Sequence, residues 1–180
     1  MESSITLKEK VKSVNTPHNK NISNLNWSKD GRWLITSSED MVAVWDASAC
    51  TSQFSSSTSS SSTRDPFKLV SQIPSQNGKI SSCAFLESGS ENIALSAATS
   101  EPPHIIFGEY QAMHIWRISI SSSPFSSSAP TRLCSMTSCQ EGVVSCIDVC
   151  SNLESRSHGI LLASASGGSV NNLRLWKLLG

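Results

Sequence analysis

Four cysteines late in the chain, Cys134, Cys139, Cys146 and Cys150, follow one another as C-x4-C-x6-C-x3-C. Zinc sites present their ligands as close pairs such as CxxC, because two side chains must reach one tetrahedral ion together, and neither half of this run has that spacing. With Cys50 and Cys83 they read instead as reduced thiols, small buried residues of strands. No metal and no other cofactor is expected. Hydrolysis by a serine needs Ser, His and an acid in one constellation, often on a GxSxG elbow, and that pentapeptide is absent from the sequence. The phosphate-cradling patterns GxxxxGK[ST] and GxGxxG are absent as well. The histidines His18, His104, His114 and His158 are scattered. The residue types point to a protein that binds rather than one that catalyses.

The elements that carry these residues repeat. Three stretches rise above a serine-rich background: PHNKNISNLNWSKDGRWLITSSEDMVAVWDAS; GKISSCAFLESG with HIIFGEYQAMHIWRIS; and EGVVSCIDVCSN with GILLASASGGSVNNLRLWKL. Each holds short alternations of apolar and polar residues between Gly, Asp, Asn and Ser punctuation, which is the signature of strands. In the first, Ile22 to Trp27 alternates, Ser28 to Gly31 forms a hairpin turn on its Asp-Gly pair, Trp33 to Thr36 returns, and Met41 to Trp45 runs out again. Residues around Ser71 to Pro74 supply a fourth, outer strand. Antiparallel units repeating with a tryptophan at one place describe propeller blades, so the fold expected is all-β.

Trp45, Trp116 and Trp176 recur at intervals of 71 and 60 residues, against the roughly 40–45 of a WD40 repeat. Inserts account for the surplus: Ala47 to Pro66, Glu87 to Pro103 and Ser119 to Thr131 are serine-rich and are expected to be flexible loops, because they cannot bury enough apolar surface to offset the entropy of ordering. The chain of 180 residues carries 14 basic and 14 acidic side chains and is 38% hydrophobic. A formal net charge of zero gives no field to attract nucleic acid or a membrane surface. No apolar run approaches the ~20 residues of a membrane span and the polar start lacks a signal-peptide core, so an intracellular protein is expected.

The blocks SEDMVAVW, SCAFLE, FGEYQAMHIW, QEGVVS and LLASASGGSVNNLRLWK come in the same order as SEDMVKVW, SCVFHP, IGCYQSLELW, HEGLI and LVASASHDK-VKLWK in another family. On them the chain, from about Thr16 to Lys177 without the inserts, resembles the last three WD40 repeats of the LEUNIG family of plant transcriptional corepressors. The resemblance implies a partial WD40 β-propeller of about three blades: residues 1–16 as the outer strand of a preceding blade, with Ile5 to Val14 as that strand; 17–75 as the first blade; 76–137 as the second; and 138–180 as a third, incomplete one. It implies a nuclear protein whose partners are proteins of transcription-regulatory complexes and, where the chain is a fragment, the missing blades. No direct contact with nucleic acid or membrane is implied.

The resemblance also assigns structural positions. In a WD40 blade the tryptophan indole donates to a Ser or Thr on the second strand, which bonds a loop His, which bonds a turn Asp. Ser37 or Thr36, His18 and Asp40 take those roles beside Trp45 and Asp46, with Trp116 and Trp176 as the matching tryptophans. The second unit lacks both His and Asp, and the third has Gln140 for His and the longer GGSVNN turn, so both networks are expected to be broken. Turn residues Glu39, Lys79, Glu109, Tyr110 and Glu141 are the candidate protein contacts, Tyr110 foremost as an amphipathic aromatic. Two alternatives stay open: a WD40 adaptor of another pathway, such as substrate recruitment for ubiquitination, and a degenerate, truncated product with no function of its own.

Overall fold

The computed structural model describes residues 13–53, 67–76, 78–86, 104–118, 129–150, 160–167 and 172–178, with the backbone alone at 51–53. Eleven strands and one short helix occur among them: β1 (Ile22–Trp27), β2 (Trp33–Ser38), β3 (Met41–Asp46), α1 (Ser48–Gln53), β4 (Lys68–Pro74), β5 (Ser82–Leu86), β6 (His104–Glu109), β7 (Ala112–Arg117), β8 (Thr131–Thr137), β9 (Val143–Cys150), β10 (Ile160–Gly167) and β11 (Asn172–Leu178). The fold is all-β. Its strands form three antiparallel sheets, ordered β1-β2-β3-β4, β5-β6-β7-β8 and β11-β10-β9.

The hairpin joining β1 to β2 closes through the Ser28 amide on the Trp33 carbonyl and the Gly31 amide on the Ser28 carbonyl, each at 2.9 Å. Gly31 sits at φ 70, a backbone region that favours glycine. The insert after β3 begins with helix α1, entered where the Asp46 carboxylate accepts the Ser48 amide at 2.9 Å. The rest of that tract, most of the other two inserts, His158 and residues 168–171 of the GGSVNN turn lie outside the described residues. Of the segment 5–14 only residues 13 and 14 are described, and neither is in a strand. The second sheet has a fourth strand, β8, made by the residues that follow the third serine-rich tract.

Pleating divides each sheet into a face that carries Trp45, Trp116 or Trp176, its tryptophan face, and the opposite, non-tryptophan face, which in the first sheet bears Trp33. Trp33, Ile35, Val42, Val44 and Ile73, all on the non-tryptophan face of the first sheet, share one core with Cys83, Phe85, Ile105, Phe107 and Trp116 on the tryptophan face of the second. Ala84, Leu86, Ile106, Met113 and Ile115, on the second sheet's other face, share another core with Val144, Ile147, Leu162 and Trp176 of the third. The sheets therefore stack in one sense, the tryptophan face of each on the opposite face of the sheet before it. A fully buried Ile or Phe contributes about 1.5–3 kcal/mol, so these two cores carry most of the apolar stabilisation.

The first strands form the common seam. β1 packs on β5 and β5 on β9. The Cys83 thiol reaches Asn24 Oδ1 at 3.5 Å, Ser82 Oγ accepts the Ile147 amide at 2.9 Å, and Ser81 Oγ donates to the Val144 carbonyl. Gly108 permits the close approach of β6 to β9: a Cβ there would meet Val144 Cγ1 at 2.6 Å.

Candidate functional site

The three tryptophans occupy one register position. Trp45 pairs with Leu34, Trp116 with Ile105 and Trp176 with Leu162. On the second strand, two residues further along the same face, stand Thr36, Phe107 and Ser164. That diagonal neighbour is within reach of an indole N–H.

In the first sheet the reach is used. Trp45 Nε1 donates to Thr36 Oγ1 at 2.9 Å, and His18 Nε2 lies 2.8 Å from the same oxygen. The other nitrogen of the ring, Nδ1, is 2.7 Å from Ser38 Oγ, which donates to Asp40 Oδ1. The hydroxyls of the network are thus Thr36 and Ser38. Ser37 is a correction: strand alternation turns it to the opposite face, against Cys83, where it cannot meet the indole. Burial holds the His18 pKa below its ordinary value, the nearby Asp40 carboxylate acting the other way. The hydrogen bond from Ser38 holds the Asp40 carboxyl below its usual range.

The third sheet rebuilds the same bond from different residues. Trp176 Nε1 donates to Ser164 Oγ at 2.8 Å, and Gln140 Nε2 donates to that oxygen at 2.7 Å and to the Ser164 carbonyl at 3.2 Å. The expectation of a broken network is corrected here, because a buried glutamine amide reaches the hydroxyl from the position where the first sheet has His18. Arg174 adds a 2.6 Å bond to the Cys139 carbonyl and ties the strand to the segment entering it.

In the second sheet, Phe107 stands where Thr36 and Ser164 supply hydroxyls. Its ring stacks on Trp116 at 6.3 Å between centroids and 18° between planes, and Trp116 Nε1 is buried without a hydrogen bond. A different polar array sits beside it. Glu109, at the position of Ser38, is fully buried, with Oε2 3.4 Å from His114 Nε2 and Oε1 accepting the Gln76 amide at 2.7 Å. His114 Nδ1 is 2.8 Å from Ser135 Oγ on β8. Hydroxyl, imidazole and carboxylate lie in line, but His114 Nε2 makes no hydrogen bond to the carboxylate, so the three are not joined as a general-base relay requires. A cleft of about 100 Å³ among the described residues lies elsewhere, lined mainly by β1, β5 and β9, with Trp27, Phe85 and Asp148 among its walls. The array joins β6, β7 and β8 to the segment that links the first two sheets.

Glu109 is therefore corrected as a surface contact: its carboxylate is buried and occupied. The remaining candidates come to one end of the sheets. Lys79 pairs with Glu39 across the turn. Tyr110 is 53% exposed, lies beside Gly78 and bridges to Val143, near the exposed Glu141 and the buried Gly142. Both turns are fixed in the same way, Asp40 by its carbonyl on the Ser75 amide at 2.9 Å and Gln111 by its carbonyl on the Cys139 amide at 3.1 Å. Gln111 holds φ 56 to do so. Among the described residues no three His, Cys, Asp or Glu side chains gather as a metal site. Cys83 is buried while Cys134, Cys146 and Cys150 are exposed, and burial raises the Cys83 thiol to about 12, the neighbouring Ser37 side chain acting the other way. No family model matches this sequence, and no curated protein matches it.

Proposed function

We propose that this chain is a non-enzymatic protein-interaction scaffold of the WD40 β-propeller type, acting in nuclear transcriptional corepression of the LEUNIG kind. The observation that carries the reading is the recurrence of one tryptophan position in three sheets, with the indoles of Trp45 and Trp176 each held by a hydroxyl diagonal to it. Sheets stacked face to opposite face around their first strands are the arrangement that propeller blades require. Such a scaffold works by presenting turns on a rigid frame, and Glu39, Lys79, Tyr110 and Glu141 are the side chains it presents at one end. Tyr110 is the anchor, an exposed aromatic on a turn pinned from both sides.

The test is a reporter assay in plant cells with the full chain fused to a sequence-specific DNA-binding domain. Transcription is expected to fall below the level set by the DNA-binding domain alone, and Tyr110→Ala is expected to relieve that fall without changing the melting temperature. A fusion that folds, binds its site and leaves transcription unchanged overturns the corepression reading.

A further inference from the structure

The two ends of the stack complement each other. Val42 and Val44 on β3, Met113 and Ile115 on β7, and Leu173 and Leu175 on β11 hold the same two register positions on the non-tryptophan faces of successive sheets. The first pair is 0% exposed and the second 0% and 8%, because the next sheet covers each. Leu173 and Leu175 are 74% and 77% exposed. At the other end, Leu25 and Trp27 hold the positions that Cys83 and Phe85 take in the second sheet and Ile147 and Val149 in the third. Cys83 and Phe85 are 1% and 5% exposed, whereas Leu25 and Trp27 are 61% and 45%. Each free face keeps the apolar residues that an interface of this kind buries.

We infer that the occupant of the Leu173 and Leu175 face is the Leu25 and Trp27 face of a second copy of this chain. The molecule shows twice what seats on a non-tryptophan face, and it carries one unsatisfied example of each partner. The contact is heterologous, so two copies joined reciprocally close a ring of six sheets, three from each, and a rotation that does not close propagates a chain of copies. This follows from the packing of the sheets and holds whether or not the protein recruits transcriptional partners.

Sedimentation of the full 180-residue chain tests it. The protein is expected to sediment as a dimer or larger species at concentrations on the order of 10–50 μM, the micromolar range in which exposed apolar surface associates. Leu25→Asp and Leu175→Lys change exposed side chains, and each variant alone is expected to be a monomer with an unaltered circular dichroism spectrum. Mixed in equal amounts they are expected to form a 1:1 heterodimer and nothing larger, because one intact pair of complementary faces remains. A monomeric parent chain, a single variant that still self-associates, or a mixture that stays monomeric would overturn the inference.

Discussion

Replacing Thr36 by Val keeps the shape of the side chain and deletes the hydroxyl on which the first sheet's network turns. Two bonds are lost at once, from Trp45 Nε1 at 2.9 Å and with His18 Nε2 at 2.8 Å. They are not equivalent. Trp45 is 4% exposed, so its N–H is stranded, whereas His18 is only partly buried and takes a water in exchange. A stranded buried donor costs about 1–3 kcal/mol, and at roughly 2–4 °C per kcal/mol for a chain of this size the melting temperature should fall by several degrees. Urea titrations followed by circular dichroism at pH 8, where His18 is neutral, measure the loss, and a cycle with Trp45→Phe isolates the bond. Thr36→Val should cost about 1 kcal/mol less in the Trp45→Phe background, the worth of the hydrogen bond that background lacks. Trp116→Phe is the internal control, since its indole N–H has no bond to lose. Coupling of less than about 0.3 kcal/mol, the level at which independent sites add, would refute the assignment of Thr36 as the partner of Trp45.

The pH dependence has a definite sign. His18 titrates below its ordinary 6.5 in the fold, so the unfolded chain binds the proton more readily and stability present above that value is lost as pH falls through it. Asp40, also held low, adds a second loss at more acid pH, below its ordinary 3.8. Urea midpoints from pH 8 to 5 should decline for the parent chain and stay flatter for His18→Gln. Gly108→Val places new atoms against Val144 and should destabilise by about 1–3 kcal/mol, the usual cost of overpacking, read as a lower urea midpoint. Cys83, its thiol pushed to about 12, should resist a thiol reagent at pH 8 until the chain unfolds, while Cys134, Cys146 and Cys150 react at once; mass spectrometry of the labelled peptides decides it.

Much of the frame is legible because strand order depends on patterns that tolerate substitution. Alternation and the Asp-Gly turn mark β1 to β3 within a residue or two, and Trp45, Trp116 and Trp176 mark one register position although insertions separate them. Helix α1 is not legible: its six residues hold no apolar stripe and start where the Ser48 amide donates to the Asp46 carboxylate, a bond that no pattern announces. The polar network is half legible for a physical reason. Sequence proximity makes Ser37 and Thr36 equal candidates, and only the parity of β2 relative to β3 decides between faces separated by one residue.

The other errors arise because one backbone demand admits several side-chain solutions. Each sheet must be tied to the segment that enters it, as His18 is tied to Thr36 and Ser38. The first sheet brings its turn into the polar network by Ser38 and Asp40, the second by Glu109 on the Gln76 amide, and the third ties β11 by Arg174 on the Cys139 carbonyl. A motif search registers the first and reads the others as losses. Glu109 looks like a surface acid because carboxylates are seldom buried alone, yet His114 and the Gln76 amide supply its partners from 5 residues downstream and 33 upstream. Gln140 looks like a lost histidine, yet its amide donates to the same kind of hydroxyl from the same side. Only Phe107 is a true loss, since no atom of a phenyl ring accepts as a hydroxyl oxygen does, and there the structure leaves the Trp116 N–H alone and covers it with an aromatic stack. The equivalence of the three sheets therefore lies in register and burial, with side-chain chemistry varying underneath it. By the same equivalence Leu173 and Leu175 are interface residues, although the described chain leaves them facing outward.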